Sequence, residues 1–475
     1  MTVLFPFVIN AGLNFVLGLL IALFLGPEEF GRYAIGAAII VLVNTALLDW
    51  IRLSAMRFYS LKTRETQPEI RATLDVLIAG VSISLCGLLV IAVVIGIDFR
   101  LPAMLLAAAV LAGVGAGLFD YHGAIARARF LDATYARLVI VKNLLALALM
   151  VGGAWLTRDP TIVLLGGLLS AAAALLAVRK ALADAPVSLK AARKDVAWRF
   201  ATYAFPLVAG NAIYSLIPLL NRSLIAGTHG FAEAGHFSLA SDMGLRLFGT
   251  LGATLEIVLL REVLKLDETR GRDAALKRIA ANLPIVLMVA LPCAVGFWAV
   301  LPAFDRLIVP PSFQGQFARY MALLLPGFVA LPIFLAALYP VFLIGNRTAL
   351  ATLAAVAGLS VNLAIVLALA GRQPPAVYAI AQSAAFLTVL AITTHAALRS
   401  LPRSPDWRAC LWMLAALAVM VAVTMPLQGR FPAATELTLQ VLLGALSYAA
   451  VILASDAARL RTTLRLWWVT RKRRA

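Results

Sequence analysis

Long apolar runs separated by short polar stretches set the pattern of this chain. A helix needs about 20 mostly apolar residues to cross a bilayer. Fourteen stretches qualify: 3–25, 33–56, 73–97, 101–124, 138–156, 161–178, 200–225, 238–260, 279–303, 321–344, 348–370, 376–398, 409–427 and 437–455. The fifth and sixth are among the shortest. The longest connections are 179–199, 261–278 and 305–320, which leaves no room for an extramembrane domain. The pattern predicts an all-α polytopic membrane protein of about 14 transmembrane helices. No basic stretch precedes the first run and no small-residue cleavage site follows it, so no cleaved signal peptide is expected.

Composition agrees. Of 475 residues, 62% are hydrophobic and 13% charged, and mean hydropathy is +0.94. Soluble domains are about 45–50% apolar and about 25% charged, so secreted soluble, nuclear and disordered classes are excluded. The net charge of +18 would point to nucleic acid in a soluble protein, but its distribution gives another reason. Loops after even-numbered stretches, with the C-terminal tail, hold 30 of the 41 Lys and Arg against 11 acids. Loops after odd-numbered stretches hold 7 bases and 7 acids, and the remainder are embedded. Basic residues mark the cytoplasmic side. Both termini are therefore expected in the cytoplasm, with the chain in a bacterial inner membrane and its excess charge facing anionic lipid rather than nucleic acid. The basic tail, 456–475, carries Trp467 and Trp468 and reads as an interfacial segment or a solvated anchor.

Two segments repeat. GPEEFGRYAIGAAI (26–39) and THGFAEAGHFSLAS (228–241) align with Gly31 on Gly235, Tyr33 on Phe237 and Glu29 on Glu233. Each is a Gly-containing acidic turn entering a new apolar helix. Six helices separate the copies, an even number, so the halves are expected to be parallel repeats. Chance recurrence of a common loop is the alternative.

LGPEEFGRYA and AEAGHFSLA resemble signature turns of bacterial polysaccharide flippases. These belong to the multidrug, oligosaccharidyl-lipid and polysaccharide exporter superfamily. The span number and the basic loop between the sixth and seventh helices fit. The resemblance implies two six-helix lobes in a V-shaped arrangement plus two C-terminal helices. That arrangement gives an N-lobe over 1–180, a linker over 181–199, a C-lobe over 200–400, extra helices over 401–455 and the tail. It also implies an undecaprenyl-pyrophosphate-linked oligosaccharide cargo for O-antigen, capsule or exopolysaccharide synthesis. The cargo would be moved by alternating access without any bond being broken, so no enzyme activity is expected. Implied partners are membrane lipids and the polysaccharide polymerase and chain-length machinery. The chain lacks the short polar or basic start of such relatives, which points to a start upstream.

Ionisable residues inside a membrane are costly and usually face a bundle interior or a wet cavity. Arg246 is expected about 12 Å into the eighth helix, where its planar fork suits a pyrophosphate; a pair with Asp242 is the structural reading. Arg52, near Asp49, either receives the headgroup or reaches the interface. Aligned by the repeat, Arg52 falls on Glu256, an opposite-sign pair that would gate the cytoplasmic side. Arg222, beside Asn221, is a candidate exit-side ligand, and Lys142 either joins the site or snorkels. Asp120, beside Tyr121 and His122, is either a proton-coupling group or a capped boundary. Asp75, with Arg71 four residues before it, reads as an interfacial pair. Asn10, Asn14, Asn44 and Asn211 suit sugar hydroxyls or plain interhelical hydrogen bonds. Pro206 and Pro218, Pro284 and Pro292, and Pro326, Pro332 and Pro340 are expected to kink the seventh, ninth and tenth helices.

Cys86, Cys293 and Cys410 stand in or beside apolar runs without any CxxC and read as core hydrophobes. The four histidines are scattered, so no metal or cofactor is expected. GVGAG (113–117) lies within an apolar run and reads as a packing face. No Walker motif is present, so coupling falls to a proton or sodium gradient or to membrane potential. The sequons at Asn221 and Asn346 are accidental matches. Two rivals share the superfamily: a peptidoglycan-precursor flippase and a cation-coupled multidrug antiporter, the latter predicting an acid-dominated cavity. A membrane glycosyltransferase or polymerase would need a longer loop than any here.

Overall fold

The computed structural model describes residues 4–96, 101–183, 188–345, 347–369, 374–402 and 406–456, without the side chains of residues 4–11 and 206. The basic tail beyond Asp456 lies outside this range, so the readings made on it stay as expectations. α1 (Leu4–Val43) contains a break at Gly26, where φ is +72°, and Pro27 restarts the helix. That pairing is physical: glycine tolerates the left-handed φ, and proline lacks only an N–H that a first turn leaves unbonded anyway. A π-helical segment, Asn44–Leu48, leads into α2 (Asp49–Phe58). The repeat turn read as a loop before residue 33 is therefore already helix.

α3 (Leu61–Thr66) and α4 (Pro68–Ile95) follow, then α5 (Ala103–Ala128). α6 (Asp132–Ala146) continues through a π segment, Leu147–Val151, into α7 (Gly152–Thr157). Then come α8 (Pro160–Leu182), α9 (Lys194–His229), α10 (Phe231–Arg270) and α11 (Arg272–Ile308). α12 (Gln316–Phe328), α13 (Ala330–Ile333), a π segment (Phe334–Leu338) and α14 (Tyr339–Ile344) form one irregular span. α15 (Ala349–Leu369), α16 (Ala376–Ser400), α17 (Trp407–Thr424) and α18 (Ala433–Ser455) complete the order.

Among the described residues twelve helices are long and apolar enough to cross a membrane, and α9, bent by 53° between Lys194–Phe205 and Leu207–His229, makes a thirteenth when the bent pair is counted as one span. Dividing the first at Gly26 recovers the fourteen stretches read from hydropathy. Two expectations change. The connection 261–278 is helical except at Gly271 (φ +81°). Its Ala, Leu, Lys, Arg and Glu are strong helix formers, and Arg278 donates to Glu262 across the turn at 2.7 Å. Prolines also act unequally: the tenth span is broken into segments, whereas α11 stays one helix through Pro284 and Pro292.

Packing divides the chain into two units, Met1–Leu239 and Ala240–Ala475. In the first, α9 packs on α1, α2 and α4, and Val43, Leu48, Ile51, Tyr121 and Phe200 form a buried cluster. GVGAG is a packing face here: Gly113 closes on Val43 and Gly117 on Leu48. In the second, α17 and α18 seat on α11 through Met413, Met420, Tyr448 and Ile452. Almost none of α4's apolar stretch is buried, and Val94 is 79% exposed, as a lipid-facing helix requires. The cysteines follow the same logic and correct the reading of them as core: Cys293 is exposed, Cys86 and Cys410 are half-buried, and none is in a disulfide.

Candidate functional site

The two repeat turns meet. A Cβ on Gly31 would collide with the carbonyl of Phe231, and one on Gly235 with the carbonyl of Pro27. Each carbonyl lies four residues before the partner glycine, so the contact is reciprocal. Glycine is required at both positions because only a missing side chain lets the backbones approach this closely. Arg32 adds a second tie: it is ion-paired to Glu28 (2.8 Å) and to Glu29, and its guanidinium lies 4.7 Å from the Phe231 ring centroid. Arg222 adds a third. Its Nη1 donates to the Ala34 carbonyl at 2.8 Å and its Nε to the Pro218 carbonyl at 3.2 Å. At 2% exposure, Arg222 is a clamp between α9 and α1.

A second polar group gathers at the π segment. A π turn widens the helix and re-aims side chains. Here it turns Asn44, whose Nδ2 donates to Asp120 Oδ2 at 2.8 Å. Arg52 is bonded to Asp49 one turn before it, and Asp49, Asp120 and Tyr135 all act electrostatically on its guanidinium. Four residues singled out from sequence, Asn44, Asp49, Arg52 and Asp120, are thus one cluster on the π segment, α2 and α5. Beside it, Asp75 accepts from Arg71 Nε (2.8 Å) and from the Tyr121 hydroxyl (2.7 Å). Arg71 also lies 5.7 Å from the ring centroids of Tyr59 and Tyr121. The Arg71–Asp75 pair was legible from its spacing, whereas Tyr121 as its donor was not. His122 is anchored locally, its Nδ1 2.8 Å from the Leu118 carbonyl. Lys142 lies 5.6 Å from the Phe119 ring centroid.

The remaining candidates lie on α1, α9 and α10. Asn211 is exposed on α9 and Asn14 half-buried on α1, while Asn10 is on α1 with its side chain outside the described residues. Asp242, Arg246 and Glu256 follow one another along α10 in the second unit. Arg246 is exposed and the two acids are half-buried. Because α10 starts at Phe231, Arg246 stands fifteen residues in, about 22 Å along the axis rather than the 12 Å expected. Glu256 has no hydrogen-bond or ion-pair partner among the described residues.

Sequence reading passed over two buried acids in the second unit, Asp305 and Glu436. Glu436, assigned to a loop by hydropathy, lies in the first turn of α18 and is fully buried. Its Oε2 accepts from Arg306 Nη2 and from the Gly429 N–H, both at 3.0 Å. The position between a Pro-containing turn and an apolar run was the available signal, since acids are favoured in a first helical turn.

No family model matches the chain, and no curated protein matches it. Among solved structures, "Lipid II flippase MurJ, inward closed conformation" is 14% identical with a TM-score of 0.73, over 94% of this chain and 97% of that one. A multidrug resistance MATE family transporter of the MOP superfamily, in an inward-facing conformation, is 12% identical with a TM-score of 0.54, over 82% and 93%. The chain therefore has the fold shared by these transporters over nearly its whole length.

Proposed function

We propose that this protein flips a polyprenyl-pyrophosphate-linked saccharide across the bacterial inner membrane by alternating access. The observation that carries the reading is the lipid II flippase fold over 94% of the chain. Two features of the residues narrow it. Arg246 is an exposed guanidinium deep in an apolar helix, where a diphosphate is a fitting counter-charge. The turns that meet at Gly31 and Gly235 are those that resemble polysaccharide flippases, which favours an oligosaccharide repeat unit for surface polysaccharide over a peptidoglycan precursor. In this reading Arg246 holds the diphosphate. Asp242 and Glu256 stand by for an ion gradient or the membrane potential. Arg52 and Asn44 act within their carboxylate pairs, Arg222 sets the turn geometry, and Lys142 stays on the rim. The fold match itself favours a second reading, a lipid II flippase.

Deleting the gene and extracting lipid-linked saccharides separates these. Accumulation of a complete undecaprenyl-linked oligosaccharide with loss of surface polysaccharide supports the first reading. Accumulation of the peptidoglycan precursor supports the second. Unchanged pools with new sensitivity to cationic drugs overturn both in favour of drug export.

A further inference from the structure

Within the second unit, the start of α15 and the end of α16 flank an open cavity of about 630 Å³. Arg347, His395, Arg399 and Ser400 line its polar part, and Leu350 and Ile392 its apolar wall. Ile392, His395 and Arg399 recur at spacings of three and four, which places them on one face of α16. No acid lines the cavity. Among the described residues the side chains of Arg347, His395 and Arg399 have no hydrogen-bond or ion-pair partner, and both arginines and His395 are exposed. Ser400 is committed to the Ala396 carbonyl at 3.0 Å. A third guanidinium is close: Arg272 Nη2 would lie 3.3 Å from a Cβ on Gly345, two residues before Arg347.

Two uncompensated guanidinium forks and an imidazole call for an anion with several oxygens, and a phosphate ester is the natural fit. The walls decide its source. Leu350 leads at spacings of three to Leu353 and Val356, 64% and 45% exposed, so an apolar path runs from the cavity along α15. A soluble phosphate has no use for that path, whereas an acyl chain does. Both helix ends also belong to loops of the basic face, where anionic headgroups collect.

We propose that this cavity binds the phosphodiester headgroup of an anionic membrane lipid, with its acyl chain along Leu350, Leu353 and Val356. The site is separate from Arg246 and independent of which cargo is moved.

Native mass spectrometry of the full-length protein tests it, in micelles containing phosphatidylglycerol or phosphatidylcholine. Phosphatidylglycerol is expected to be retained over phosphatidylcholine. The R347Q/R399Q variant should lose about tenfold or more of that retention, R347K/R399K should keep most of it, and inorganic phosphate should not displace the lipid. Equal retention by R347Q/R399Q, or no preference for the anionic lipid, overturns the proposal. Displacement by inorganic phosphate overturns the lipid assignment in favour of a soluble anion. Should the double variant fail to fold, R399Q alone carries the test, because Arg399 is exposed and makes no bond that folding needs.

Discussion

Charged residues inside apolar helices behave differently in the two units. In the first, Arg52, Arg71 and Arg222 are each bonded to named protein groups, and Asp49, Asp75 and Asp120 each hold a donor or a cation. In the second, α10 displays an exposed Arg246 and a Glu256 with no bonding partner among the described residues. An embedded charge satisfied by its own protein is part of the scaffold. One that also stays exposed, as Arg246 does, remains open to a further contact during function. The same residue types thus carry different meanings, decided by exposure and not by depth.

The comparison breaks most severely at the reciprocal glycines, where no compensating shift is available because the opposing atoms are backbone. Gly31→Val or Gly235→Val should destabilise by more than about 4 kcal/mol and remove folded protein from the membrane fraction. Gly80→Ala, where a Cβ meets nothing within 4 Å, should stay within about 1 kcal/mol of wild type. Thermal unfolding in detergent with fluorescence-detected size exclusion checks both. Normal stability of Gly31→Val would end the reading of these turns as a close-packed knot.

Glu436 supplies the second unit's own scaffold charge. Glu436→Ala removes the acceptor of Arg306, whose side chain is 47% exposed, and of the exposed Gly429 N–H, and should cost about 1–2 kcal/mol, read as a fall in unfolding temperature. If α18 detaches first, limited proteolysis will cut at the 425–432 turn before any other site.

These effects show what hydropathy can and cannot reveal. The spans were legible because crossing a bilayer demands a run of fixed length, and a run is a local property of sequence. The glycine pair was legible as an internal repeat, but its direct contact was not, since alignment says nothing about distance. Asn44 finds Asp120 seventy-six residues away, a tertiary event with no local signal. Arg222 binds carbonyls of Ala34 and Pro218, and every residue has a carbonyl, so no sequence pattern could name that partner. The helical extension through 261–278 was missed because hydropathy marks membrane, whereas Lys, Glu and Arg favour helix in water as well.

Arg246 gives the sharpest functional test. Arg246→Gln should leave unfolding temperature unchanged while lowering complementation of a deletion strain, assayed as surface polysaccharide, by about tenfold or more, the loss expected for one charge-assisted contact to a phosphate. Loss of stability without a specific transport defect would move Arg246 into the scaffold class and remove the contrast between the units.

The smallest effect belongs to Arg52, and it tests the contrast from the other side. Its side chain is 27% exposed and that of Asp49 13%, so solvent still screens the pair and its removal is mild. Arg52→Gln should cost about 1 kcal/mol. Asp49→Asn should cost about the same, and the double variant should cost less than the two single effects combined, because each single change already removes the shared bond. Complementation by Arg52→Gln should remain within about threefold of wild type, a factor worth less than the single charge-assisted contact assigned to Arg246. A transport defect matching that of Arg246→Gln, with additive stabilities in the cycle, would mean that Asp49 releases Arg52 to the cargo during the cycle. The paired charges of the first unit would then be ligands held in reserve.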